Sequence, residues 1–271
     1  MAQGLIALFG SGETSSQGRK IHDFLLSRLP VPVQVAILET PAGFQPNAEG
    51  VNLKIQQFLE KSLQNFKPQI ELVAARRKGS AHDPDDPATV AALAAADYIF
   101  AGPGSPTYAV RQWRDSLAWR MMRARWEAGA TLAFASAAAI SIGTRVLPVY
   151  EIYKCGADLG WESGLALFSD LDLTVMPHWN NAEGGAGLDT SHCFMGLDRF
   201  NDLYAMLPPG TTVLGIDEHT ACIIDPAARQ CRVLGAGGVT VLHGGETQVF
   251  ASQATFPLDV LAGTVLAGER S

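Results

Sequence analysis

Cysteine is scarce in this chain: Cys155, Cys193, Cys222 and Cys231 are the four in 271 residues. They form neither a Cys-x-x-Cys pair nor a zinc-ligand spacing, which excludes a disulfide scaffold and a structural zinc site and predicts buried or idle thiols in a reducing compartment. Basic charge is also short. Twenty Lys and Arg against 27 Asp and Glu leave a net charge of −7, so the basic face that a nucleic-acid partner needs is missing. The cluster Arg76-Arg77-Lys78 reads as solvated loop charge. No apolar run is long and uninterrupted enough to span a bilayer. The first ten residues are apolar but carry no basic n-region, so they read as a first strand and not as a signal peptide. These absences predict a cytoplasmic protein without nucleic-acid or membrane partners. Linkers, repeats and low-complexity segments are absent too, and 47% apolar content with 27 glycines fits a single globular domain over residues 1–271.

Strand-like and helix-like segments alternate through the first half. Apolar runs at Gly4–Phe9, Val33–Leu38, Gln69–Val73, Asp97–Ala101 and Thr131–Ala135 read as strands. Between them Gly18–Leu29, Val51–Leu63, Pro87–Ala95 and Ser105–Gly129 read as helical. This alternation predicts an α/β fold with a mostly parallel central sheet flanked by helices, and a ligand site beyond the carboxyl ends of its strands. Small-residue turns at Gly10–Thr14, Gly102–Thr107 and Ser136 fall at those ends. Later come a strand at Leu171–Met176, a helix at Asp198–Met206 and short β segments from Thr212 onward. These late segments predict antiparallel strands extending the sheet edge.

The stretch Thr131-Leu-Ala-Phe-Ala-Ser-Ala-Ala-Ala-Ile-Ser-Ile-Gly143 has the outline of a nucleophile elbow. A strand delivers one hydroxyl, Ser136, at a sharp turn into a helix whose first N–H groups face developing negative charge. Phe134 and Ala138 stand where such elbows usually carry glycine. A serine nucleophile needs a base, and the base needs an orienting acid. Of the six histidines, His178 ends an apolar strand and is the candidate base. His22 reads as part of a surface helix, and His82 and His243 as loop residues; His192 and His219 are competitors with less direct placement. Glu218, Asp217 and Glu151 are candidate acids among which position alone does not choose. Gly10-Ser-Gly-Glu-Thr14 lacks the lysine of a P-loop and the third glycine of a dinucleotide fingerprint. Gly102-Pro-Gly-Ser-Pro106 is stiffened by prolines that remove backbone donors. It suits an oxyanion hole formed by the Gly104 and Ala137 amides better than a phosphate cradle.

Four segments resemble the serine exopeptidases related to dipeptidase E and cyanophycinase. They are Gly102-Pro-Gly-Ser105, the Ser136 elbow, Gly164-Leu-Ala-Leu-Phe168 leading to Pro177-His178, and Gly215-Ile-Asp-Glu-His-Thr-Ala221. The resemblance covers about the middle half of the chain, and its last segment is the most specific. It implies a flavodoxin-like, class I glutamine-amidotransferase-like scaffold, Ser136 as nucleophile, His178 as base and Glu218 as acid, with Glu151 the alternative. It further implies a small peptide or amide as substrate, no cofactor or metal, and is compatible with a homodimer. Ser105, Asn180 and Asn181 are the candidate substrate contacts, while Asn180, Asn181 and Glu183 read equally as residues that only shape the loop after His178. Where cyanophycinase-like members carry arginines after the histidine, this chain has Trp179-Asn-Asn-Ala-Glu-Gly-Gly185, which argues against cyanophycin. Two other readings are a binding protein with a decayed elbow, and an amidase or acyl transferase acting on a non-peptide substrate through the same triad.

Overall fold

The computed structural model describes residues 2–266. Five strands form the parallel part of the main sheet: β1 (Ile6–Phe9), β2 (Gln34–Leu38), β3 (Gln69–Val73), β4 (Tyr98–Ala101) and β5 (Thr131–Ala135). β1, β4 and β5 are buried at every position, as befits strands covered on both faces. The helices between them are α1 (Ser16–Leu26), α2 (Ala48–Ser62), α3 (Pro106–Trp113) and α4 (Leu117–Glu127). Serine side chains at positions 15, 105 and 116 accept the N–H groups of Gly18, Tyr108 and Trp119, so hydroxyl caps fix where three of these helices begin. The Ala-rich stretch expected to be helical at Pro87–Ala95 is instead turns and a short 3-10 segment, Ala91–Ala94. Asp86 accepts the Ala88 and Thr89 amides, and this Asx turn takes the donors that a helix would need.

The remaining elements are α5 (Ala137–Ser141), β6 (Arg145–Val146), α6 (Val149–Cys155), β7 (Glu162–Ser163), β8 (Leu173–Met176), the turn-like α7 (Ser191–Phe194), α8 (Gly196–Ala205), β9 (Thr212–Ile216), β10 (Thr220–Asp225), β11 (Gln230–Gly235), β12 (Val239–His243), β13 (Glu246–Phe250) and β14 (Thr255–Pro257). The main sheet runs β14-β11-β10-β1-β5-β4-β2-β3. β10, β11 and β14 are the antiparallel strands at its edge. The late segments do not all join that edge. β9, β12 and β13 form a second sheet with β8, ordered β13-β12-β9-β8, in which β8 and β9 are parallel. Turn signals and alternation mark a strand but do not name its neighbour, and both sheets draw on the same apolar residue types.

α5 packs on both β5 and β8. A single apolar cluster joins Phe134 of the main sheet to Val175, Leu214 and Val241 of the second. On the opposite face of the main sheet, α1 and α2 cover Ala7, Phe9, Ala133 and Ala135. The helices after β1 and β5 therefore lie on opposite faces, which opens a crevice beyond the ends of these neighbouring strands. No helix among the described residues is long and apolar enough to cross a membrane.

Candidate active site

Ser136 follows β5 with φ 52° and ψ −115°, a strained conformation that non-glycine residues seldom adopt. Ile140 donates its amide to the Ser136 carbonyl at 3.1 Å, so the helix starts directly behind the turn. The flanks explain how the elbow does without glycine. Phe134 is fully buried and meets the Trp113 ring edge-on at 6.3 Å between centroids. Ala138 is equally buried in the apolar cluster between the sheets. Both side chains point into packing and away from the turn.

His178 follows β8, and Glu218 follows β9. Ser136 Oγ lies 2.9 Å from His178 Nε2, and His178 Nδ1 lies 3.0 Å from Glu218 Oε1. With Glu218 ionised, Nδ1 must donate, which leaves Nε2 to accept the Ser136 hydroxyl proton. The hydrogen bond from His178, joined by one from Asn181, holds the Glu218 carboxyl below its ordinary value against the opposing effect of burial. The backbone knits the seam between the sheets at this point. His178 N–H donates across it to Gly10 O at 3.3 Å, and Gly10 N–H donates within the main sheet to Thr220 O at 2.8 Å.

The three groups were expected at strand ends of one sheet. They come from two: Ser136 from the main sheet, His178 and Glu218 from adjacent parallel strands of the second. Glu151, the alternative acid, is placed elsewhere. Its Oε1 accepts Thr107 Oγ1 at 2.6 Å, and its Oε2 is buried without a hydrogen-bond partner among the described residues.

The run Gly215–Ala221 has a role at nearly every position. The Trp179 ring lies where a Gly215 side chain would stand, 2.4 Å from a built Cβ. Asp217 Oδ2 accepts Gly238 N–H at 2.7 Å. Thr220 Oγ1 accepts Gly237 N–H at 2.8 Å. These bonds close the loop that presents Glu218.

Asn180 and Asn181, read as substrate contacts or as residues that shape the loop, hydrogen-bond to Glu218. Asn181 Nδ2 donates to Glu218 Oε1 at 2.8 Å, and Asn180 Oδ1 accepts Glu218 N–H at 2.8 Å. Residue type and loop position signalled polar function, but the direction of an amide is not written in sequence. Ser105 caps α3 and lies 3.0 Å from Thr107 Oγ1. Gly104 has φ 154°, and a Cβ there would stand 1.9 Å from the Pro41 carbonyl oxygen. Glycine alone lets the turn sit this close. Gly104, Ala137, Ser136 and His178 line one cleft of about 240 Å³. Among the described residues neither the Gly104 nor the Ala137 amide has a hydrogen-bond partner within the chain, as required of donors awaiting an anion.

His22, expected on the surface, is fully buried. Its Nε2 lies 3.0 Å from the Glu13 carbonyl oxygen and its Nδ1 2.7 Å from Tyr98 Oη. The carbonyl can only accept, so Nε2 carries the proton and Tyr98 donates to Nδ1. Burial lowers the His22 pKa to about 4. His22 thereby pins the Gly10–Thr14 turn beside the site. The Glu13 carboxyl in that turn is pushed above its ordinary value by burial, eased by its own backbone hydrogen bond and by the nearby His178 and His219. Among the described residues, no three His, Cys, Asp or Glu side chains cluster so as to hold a metal.

No protein-family model matches the sequence, and no curated protein matches it. Solved structures do share its fold. A peptidase from an acI-B1 actinobacterium superposes with a TM-score of 0.74 at 19% identity, over 94% of this chain and 97% of that one. A Listeria monocytogenes EGD-e protein, provisionally described as a peptidase E, superposes with a TM-score of 0.53 at 14% identity, over 92% and 99%. At such identities the likeness is one of fold.

Proposed function

We propose that this chain is a serine-type hydrolase, a small-peptide exopeptidase resembling dipeptidase E, acting through Ser136, His178 and Glu218. The observation that carries the reading is the relay itself: 2.9 Å from hydroxyl to imidazole and 3.0 Å from imidazole to carboxylate, within the reach that proton transfer needs.

Ser136 Oγ attacks the peptide carbonyl as its proton passes to His178 Nε2. The tetrahedral oxyanion is received by the Gly104 and Ala137 amides. Imidazolium then protonates the departing amine as the C–N bond breaks, leaving an acyl ester on Ser136. Water attacks that ester, with His178 taking its proton and returning it to Ser136, and the acid product leaves. Glu218 keeps the Nδ1–H tautomer throughout and stabilises the transient imidazolium. Phe134 and Ala138 fit this reading because the turn keeps its strained geometry while both side chains pack elsewhere. The peptidase described from the actinobacterium adds fold-level support.

A fluorophosphonate probe tests the reading. Ser136 in folded protein is expected to be labelled, and Ser136→Ala to remove both labelling and hydrolysis of dipeptides. An unlabelled Ser136, under conditions where a control serine hydrolase reacts, would defeat the covalent mechanism.

A further inference from the structure

The cleft that opens on Ser136 has one long wall, and it belongs to α6. Val149, Tyr150, Tyr153 and Lys154 all line it, an i, i+1, i+4, i+5 pattern that turns a single helical face toward the nucleophile. Ile140, on the turn after the oxyanion amides, continues this apolar surface. The far wall is aromatic as well. Phe194 lies 5.2 Å between ring centroids from His178 and 5.5 Å from Tyr153, so aromatic faces run without a break from the imidazole to α6. Outside the mouth, Phe44 packs against Tyr150 and Tyr108 at 6.2 and 5.3 Å although it is 47% exposed. An exposed ring set beside a lined cleft extends the same surface outward.

Charge in the cleft is sparse and mixed. Among its described lining residues the one cation is Lys154 and the one carboxylate away from the relay is Glu183. Lys154 is exposed, with its ammonium over the Tyr153 ring at 4.9 Å. An acidic substrate side chain entering here would lose hydration against aromatic walls, with an exposed lysine as its compensation and an equally exposed Glu183 opposing it. Such an exposed pair is weak, whereas a buried unpaired carboxylate is costly.

We propose that this cleft receives the side chain of an apolar or aromatic acyl residue, that is, the residue whose carbonyl Ser136 attacks, and discriminates against an acidic one. The inference rests on the serine-hydrolase reading and adds the substrate class to it. The α6 face is the selecting wall, and burial of the side chain against Tyr153 and Phe194 supplies the discrimination.

The experiment compares kcat/KM for Phe-Ala, Leu-Ala and Asp-Ala, with fluorophosphonate labelling run in parallel. Phe-Ala and Leu-Ala are expected to exceed Asp-Ala by at least about tenfold. Val149→Arg, checked for folding by its thermal melt, is expected to shrink that ratio by about tenfold. Val149→Leu, which keeps the wall apolar, is expected to preserve it. Calorimetric binding of Phe-Ala and Asp-Ala to Ser136→Ala should follow the same order without turnover. Asp-Ala cleaved as fast as Phe-Ala by a labelled enzyme would overturn the apolar cleft and leave the serine chemistry standing. Labelling without cleavage of any dipeptide would also overturn it, because the substrate class is then wrong. Neither labelling nor cleavage would remove both readings together.

Discussion

At Glu218 two donors converge on one oxygen, His178 and Asn181, and each holds the carboxylate for a different purpose. The first belongs to the proposed relay; the second fixes the direction from which that contact is made. Removing Asn181 therefore separates positioning from chemistry. Asn181→Leu is expected to cut kcat/KM about tenfold or more, since a hydrogen bond to a charged group contributes about 1.5–3 kcal/mol. Its pH profile is the decisive readout. The Asn181 hydrogen bond helps lower the Glu218 pKa, so losing it raises that value and activity should fail at a higher pH on acidification. His178, His219 and Glu13 face the same region and are unchanged by the substitution. A loss of rate with an unmoved acidic limb would mean that Asn181 serves only the loop. Glu218→Gln keeps the shape and removes the charge; by the precedent of the serine proteases it should lower kcat by about 10⁴-fold.

Among the elements, the β4–α3 turn and α1 show what was legible in the sequence and what was not. Gly102–Thr107 reads as a strand-end turn from its glycines and prolines, and it is one. That Gly104 presses on Pro41 is a contact between distant segments and leaves no local mark. Gly104→Ala would place a methyl 1.9 Å from the Pro41 oxygen. It is expected to lower stability by about 2–4 kcal/mol in denaturant melts and to cost activity beyond that, by moving the Gly104 amide proposed to receive the oxyanion. In α1 the signal was present but outweighed by residue type. Ile21, His22, Leu25 and Leu26 share one buried stripe, and a histidine at an apolar position of that stripe is a core residue. The turn at Ser136 was readable because strand, turn and helix follow one another locally, and the place of His178 because it closes an apolar strand. The division of the late strands between two sheets was not, because pairing partners are chosen by tertiary packing.

For the molecule as a whole, His22 predicts an acid sensitivity. Its pKa falls from the ordinary 6.5 to about 4 on folding, so below pH 6.5 the unfolded chain binds a proton that the folded one refuses. Stability conferred by the neutral buried ring is complete above pH 6.5 and drains as pH falls toward 4, by on the order of 3 kcal/mol. Glu13 acts with opposite sign, because a raised carboxyl pKa favours the folded state at lower pH. The difference between the wild type and His22→Gln isolates the histidine: melting temperatures followed from pH 7 to 4 should fall more steeply in the wild type. Parallel curves would show that another group sets the slope.

The seam between the sheets also fixes an order of events during synthesis. Ser136 belongs to the main sheet, but His178 and Glu218 arrive after β8 and β9, and β12 and β13 must still pair beside β9 before that second sheet is whole. A ribosome exposes Ser136 more than forty positions before His178 and about eighty before Glu218. On the proposed reading the nascent chain carries the Ser136 hydroxyl unarmed, since a serine without a base is a poor nucleophile at neutral pH. On the proposed reading, hydrolysis waits until the second sheet docks beside Ser136.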